Sequence, residues 1–352
     1  MRVQPPRSTP SPPNPATLSR GARKRPSPQE YIDGILRGDR AILAQAITLV
    51  ESTRTADTEL AEEILEKCYS RAGHSIRVGI TGVPGAGKSS VIEVLGMHLI
   101  RERGENVAIL AIDPSSQVSG GSILGDKTRM GTLAASDKAF IRPSPAKGSL
   151  GGVARKTREA MLLCEASGYK NIIVETVGVG QSETAVREMV DFFLLLLLPG
   201  AGDELQGMKR GVMEMADCVA INKSDGTNID AANRARADAE HALHYFPRSN
   251  TGWAPRAQTC SAQTGKGIAE LWSCVLEYVN LTHKNGAFER VRREQMRRWM
   301  LEMIQQAVMK NFQADPAVRN RMAALEQDVA AGSKSAFRAA REVLGERFTP
   351  SE

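Results

Sequence analysis

An α/β fold, with a mainly parallel, doubly wound sheet and helices on both faces, follows from three features of this 352-residue chain. The first is strand–loop–helix punctuation around Ile76–Leu99. The second is a set of short apolar runs, each ending in a polar residue suited to ligand contact. The third is the wholly apolar run Phe192–Leu198, which reads as a strand buried on both faces.

Taken along the chain, residues 1–29 are rich in proline, Arg and Lys and hold no acid. Such a stretch builds no core and is expected to be disordered. Its Arg and Ser content also suits an organelle transit peptide, although the proline density opposes the amphipathic helix that one needs. Residues 30–74 follow as a helical segment, with Ile35, Leu36, Leu43, Ile47 and Val50 forming an apolar stripe.

Ile76–Thr81 reads as the first strand. Residues Gly82, Val83, Pro84, Gly85, Ala86, Gly87, Lys88 and Ser89 then match G-x-x-x-x-G-K-[ST] at every fixed position; with Ser90 they are the expected phosphate-side contacts, and Val91, Leu95 and Leu99 mark the helix that follows. This is the phosphate-binding loop of P-loop NTPases. Its glycines let backbone N–H groups turn inward as an anion nest, aided by the helix N-terminus. Lys88 is expected to bridge the β- and γ-phosphates and Ser89 to give its hydroxyl to Mg²⁺.

Val107–Ile112 ends in Asp113 and Ile172–Val174 ends in Glu175. Carboxylates at strand ends beside the loop are placed to hold Mg²⁺ or its waters. Glu175-Thr-Val-Gly178 stands where many GTPases carry D-x-x-G, so the Gly178 N–H is expected to meet the γ-phosphate. No Gln directly follows Gly178, and Gln181 lies three residues on. Asp113 is the first choice for orienting the attacking water. Lys88, Asp113 and Glu175 form the expected catalytic set.

Phe192–Leu198 is wholly apolar. It is far shorter than the roughly 20 residues that span a bilayer, and reads as a strand buried on both faces. Cys218–Ile221 is another apolar run, followed by Asn222-Lys223-Ser224-Asp225. In this N-K-x-D pattern the Asp225 carboxylate can accept from guanine N1–H and its 2-amino group. Adenine offers neither, so the base is expected to be guanine. Asn222 braces the site and the Lys223 stem covers the base. Ser261 and Ala262 follow a further strand candidate, and the Ala262 N–H is placed to reach guanine O6.

Several longer segments carry a resemblance. They are Ala111–Ser116, Gly120–Met130, Ile141–Gly152, Val174–Glu183 and Leu198–Lys209. With the loop and N-K-S-D, they resemble the MeaB and methylmalonic aciduria type A family of GTPases, from about Tyr31 to about Val279. The resemblance implies a chaperone that binds and hydrolyses GTP. Through it the protein would gate adenosylcobalamin loading into a cobalamin-dependent acyl-CoA mutase, and protect that mutase, without binding cobalamin itself. It also implies that Asp126 joins Ser89, Asp113 and Glu175 at the metal. Switch or coupling roles fall to Gln181, Asp203, Gln206 and Lys209, and a C-terminal arm mediates homodimerisation. The alternatives are a metallocentre-insertion GTPase, whose Cys/His motifs near the loop are missing here, and a transport-associated NTPase.

Composition sets the remaining bounds. Hydrophobic content of 41% with 24% charged residues describes a globular chain with a sizeable core. The net charge of +6 is modest and concentrated towards the termini, so neither nucleic acid nor membrane is expected as a partner. Five scattered cysteines without C-x-x-C spacing read as reduced thiols. The expected compartment is the cytoplasm, or the mitochondrial matrix if the extension is a transit peptide. Residues 75–281 make the GTPase core and 282–352 a helical arm. In that arm Arg290, Arg292, Arg293, Arg297 and Arg298 are read as a solvated basic face. His241 and His244 are read as a surface pair.

Overall fold

Alternation of two side-chain sets along the strands dictates the layers. In a computed structural model, which describes residues 25–113, 130–145, 150–176, 182–200, 210–246 and 249–345, seven strands form one sheet. They are β1 (Ile76–Gly82), β2 (Val107–Asp113), β3 (Ala139–Pro145), β4 (Asn171–Thr176), β5 (Phe192–Leu197), β6 (Cys218–Ile221) and β7 (Arg256–Thr259). The order is β3-β2-β4-β1-β5-β6-β7, and every pairing is parallel.

Helices cover both faces. Near the N-terminus lie α1 (Pro28–Leu36), α2 (Arg40–Glu51) and α3 (Thr55–Tyr69); α4 (Lys88–Glu102) follows β1. Next come α5 (Gly131–Ala134), α6 (Leu150–Ala166), α7 (Ser182–Arg187), α8 (Arg210–Glu214), α9 (Ile229–Leu243) and α10 (Ile268–Lys284). The arm is α11 (Ala287–Ala314), α12 (Pro316–Ala330) and α13 (Ala336–Leu344).

Ala108, Leu110 and Ile112 of β2 join Ile172 and Val174 of β4 against α1–α3 and α6. Val107, Ile109 and Ile173 point the other way, into a core built with α4 and α10. A buried parallel strand needs apolar residues on both faces, which is why β5 is apolar throughout and fully buried.

Three expectations are corrected. Residues 28 and 29, expected within the extension, belong to α1. Ser27 caps α1 by accepting from the Glu30 N–H, Glu30 reaches back to the Ser27 N–H, and Pro28 occupies the first turn. Ser-Pro-x-Glu is a capping box with proline where its missing N–H costs nothing. Arg292 is not part of a solvated face. Its guanidinium clamps Asp191 at the start of β5, with Nε 2.8 Å from Oδ1 and Nη2 2.7 Å from Oδ2. It also donates to the Gly73 and Ser75 carbonyls. An acid buried at a strand start attracts a counter-charge, and a long Arg reaches it from the arm. Helix α10 runs on to Lys284, past residue 281, before Asn285 and Gly286 turn the chain into α11.

All five cysteines are free and buried. Among the described residues, no helix is long and apolar enough to cross a membrane. His241 on α9 and His244 just past its end are exposed.

Candidate functional site

The carboxyl edge of the sheet assembles the site, with β1 at its middle. Gly82 ends that strand with φ 155°. A Cβ there would stand 2.3 Å from the Leu196 carbonyl oxygen of β5, so only glycine lets the chain leave the sheet at this point. The loop then turns into α4, which has no side-chain cap. Its first N–H groups are left facing the loop. Lys88 folds back over the loop, its Nζ donating to the Gly82 carbonyl at 2.8 Å and to Val83 at 3.3 Å. Burial pushes the Lys88 ammonium below the usual lysine range, against the opposing pull of the Glu175 and Glu183 carboxylates.

On one side of β1 stands β4, whose Glu175 is in register with Ile80 of β1 and Ala111 of β2. Ser89 Oγ donates to Glu175 Oε1 at 3.1 Å. Thr176 Oγ1 donates to Thr81 Oγ1 at 2.8 Å and locks the ends of β4 and β1 together. A hydroxyl and a carboxylate at one strand end are hard oxygen donors and fit Mg²⁺, which binds through few protein ligands plus phosphate oxygens and water. Asp113 is the last residue of β2, one strand further out.

On the other side, Asn222 follows β6 and ties two motifs together. Its Nδ2 donates to the Ala86 carbonyl at 2.7 Å, and its Oδ1 accepts from the Ala262 N–H at 3.2 Å. Gly87, with φ 84°, lies so close that a Cβ would meet Asn222 Nδ2 at 2.5 Å. Lys223 adopts φ 60° and is the lone non-glycine with positive φ among the described residues. Such backbone strain recurs at ligand clamps. Ser261 Oγ donates to Asp225 Oδ2 and fixes the carboxylate. Ser261 Oγ also accepts from the Thr264 N–H at 3.1 Å.

The structure thus brings residues 82–90, Glu175, Asn222, Lys223, Asp225, Ser261 and Ala262 to one edge. The Ala262 N–H, expected at guanine O6, here donates to Asn222. Asp126, Gly178, Gln181, Asp203, Gln206 and Lys209 lie outside the described residues, and of Asp113 only the backbone is described. Glu183 was not anticipated. It is 2% exposed in the first turn of α7, and its charge is felt at Lys88. Unlike Glu175, it ends no apolar run, and no spacing signal singles it out.

A phosphate loop on a parallel sheet, with a carboxylate-bearing base motif two strands away, defines a P-loop GTPase. The family profile described as "Methylmalonyl Co-A mutase-associated GTPase MeaB" matches residues 43–317, and the chain belongs to that family. It is 45% identical over 330 residues to the mouse "Methylmalonic aciduria type A homolog, mitochondrial", covering 90% of this chain and 79% of that protein. It is 48% identical over 286 residues to "GTPase ArgK" of Escherichia coli, covering 81% and 86% respectively. Among solved structures, a "LAO/AO transport system kinase" superposes with TM-score 0.72 at 38% identity, covering 90% of this chain and 96% of that one. The enzyme is a GTPase with the expected α/β P-loop fold.

Proposed function

We propose that the chain couples GTP binding and hydrolysis to adenosylcobalamin loading into, and protection of, a cobalamin-dependent acyl-CoA mutase. Methylmalonyl-CoA mutase is the default client. The observation that carries this reading is the match across residues 43–317 to a family described as mutase-associated, on a chain whose base and phosphate motifs are physically joined through Asn222. The protein's own residues bind nucleotide and supply charge; cobalamin stays with the partner.

In this reading the loop N–H groups and Lys88 hold the β- and γ-phosphates. Ser89 and Glu175, with Asp113 from the β2 end, hold Mg²⁺, which neutralises phosphate charge when bound. Asp113 orients the attacking water. Exposed Met300, Leu301, Ile304, Val308 and Met309 on α11 supply an apolar stripe for homodimerisation. Reduced, buried thiols suit the cytoplasm, or the mitochondrial matrix if residues 1–24 direct import.

Two tests follow. Wild type should bind ATP about 10⁴-fold more weakly than GTP, because adenine leaves Asp225 unpaired. Asp225→Asn should shift preference towards xanthosine triphosphate, since the amide donates to the keto group that replaces the 2-amino group. Competition titration reads both, and equal binding of ATP and GTP by wild type would sink the base assignment.

The second test is functional. Slow intrinsic hydrolysis should accelerate when the mutase is added, since ordering a missing transition-state group is worth about 10³–10⁵ in other GTPases. Lys209→Ala should keep GDP affinity and lose the acceleration. Single-turnover assays with and without methylmalonyl-CoA mutase decide it; no acceleration of wild type contradicts the coupling.

A further inference from the structure

We propose that α7 and the four residues behind it form a lever that carries the state of the phosphate end of the site to the C-terminal arm. The idea rests on the site holding guanine nucleotide and goes beyond any dealing with a mutase.

The front of the lever is α7 itself, packed against β1 behind the phosphate loop: Val186 stands so close to Gly79 that a Cβ there would meet Val186 Cγ1 at 2.9 Å, and Glu183 in the first turn is buried. The rear is residues 188–191, and each of three positions there holds the arm. Glu188 Oε1 accepts from Arg298 Nη1 at 3.4 Å. The Val190 carbonyl accepts from Gln295 Nε2 at 2.9 Å. Asp191 takes both forks of Arg292 and also accepts from the Arg77 N–H at 2.8 Å. Arg187 pins the middle, with Nη1 3.0 Å from Asp217 Oδ2. A shift of α7 therefore cannot leave α11 untouched.

The joint itself is built to hold two arrangements. Arg158 of α6 is 5% exposed and gives Nη1 to Glu302 of α11. Its Nε and Nη2 have no hydrogen-bond partner among the described residues, and neither do Gln295 Oε1 and Trp299 Nε1. These side chains line one pocket with room of about 10 Å³, beside Met161, Met189 and Met296. A space of this size takes at most one water, so the four polar atoms compete for few partners and a small shift re-pairs them. The remedy is close by: Arg158 Nη2 lies 4.0 Å from Glu188 Oε2, roughly 1 Å beyond hydrogen-bond reach. A small advance of Glu188 converts Arg158 from a partner of Glu302 alone into a bridge between α7 and α11. Glu188 rides on the end of α7, so the position of α7 selects the arrangement. A two-state element biased from both ends is what physical coupling requires, and the coupling is reciprocal.

The test uses the full chain without any mutase. Hydrogen–deuterium exchange of residues 287–314 is measured with GDP·Mg²⁺ and with a non-hydrolysable GTP analogue, and nucleotide titration is run on the same preparations. Wild type should show at least a fivefold change in exchange around residues 288–303 between the two ligands, the lower end of usual coupling. Glu188→Gln and Arg298→Gln should each reduce that change below about twofold, with GDP affinity held within about twofold. Arg298 has a largely exposed side chain, so its variant carries the test if Glu188→Gln fails to fold. Absence of analogue binding overturns the nucleotide reading and the lever with it. Binding without a wild-type change in the arm, or variants that keep the full change, overturns the lever alone.

Discussion

Lys88→Ala should reduce kcat for GTP hydrolysis by about 10²–10³-fold, the scale seen when one preorganised charge-stabilising donor is removed. The ammonium is the single cation that the loop brings to the phosphates, and it is half-sequestered, so water restores little of what is lost. Affinity should fall as well, because a hydrogen bond to a charged group contributes about 1.5–3 kcal/mol. The variant also loses the donor that joins the Gly82 and Val83 carbonyls across the loop, so GDP binding should weaken along with GTP. Single-turnover kinetics with titration of both nucleotides separate the two effects. Turnover within threefold of wild type would show that the loop does not serve the chemistry.

Glu165→Ala should cost about 3–5 kcal/mol of stability, the penalty for orphaning a buried charge. Glu165 has a wholly buried side chain. Its Oε1 accepts from Ser75 Oγ at 2.5 Å and from Arg77 Nε at 2.8 Å; its Oε2 accepts from Arg77 Nη2 at 2.9 Å and the Gly73 N–H at 2.8 Å. Burial alone would raise this carboxyl. The Arg77 charge and the converging donors outweigh burial and hold it below the usual glutamate range. A depressed native pKa means that the unfolded chain binds the proton more readily. The stabilisation is therefore full at neutral pH and is lost as pH falls through the ordinary value of about 4.3 and below. Urea denaturation at pH 7 should show the full deficit, and at pH 4 a smaller one. A deficit under 1 kcal/mol at pH 7 would mean that Arg77 finds another partner. The paired change Arg77→Met with Glu165→Leu should cost less than Glu165→Ala, since it leaves no unpaired charge.

Much of the core was legible because its signals are local. Residues 76–81 and 218–221 announce strands by apolar runs, and the loop between β1 and α4 is set by glycines whose positions the backbone enforces. The acid Glu175 was legible from its place at a strand end. What escaped is whatever depends on tertiary approach. The strand order cannot be read from runs of similar length and composition. The Arg292–Asp191 clamp joins residues 101 positions apart, and an Arg flanked by other Arg residues looks solvated until the fold supplies its acid. Glu183 was silent for the same reason, since only the folded chain shows that it is buried. The Ser27 capping box was a local signal that proline-rich composition overshadowed.

Asn222 has a consequence for ligand energetics. One amide spans the Ala86 carbonyl and the Ala262 N–H, so the phosphate cradle and the base pocket form a single rigid clamp. A nucleotide, whose base and phosphates are covalently joined, loses its motional freedom once, and the Asn222 bridge holds the two halves of the site at the spacing that lets both ends engage together. Guanosine and pyrophosphate offered as separate fragments should each bind far more weakly than their joined form suggests. A change of base preference engineered at Asp225 or Ser261 would be felt in the geometry of the loop, and selectivity and catalytic competence in this fold would have to be altered together.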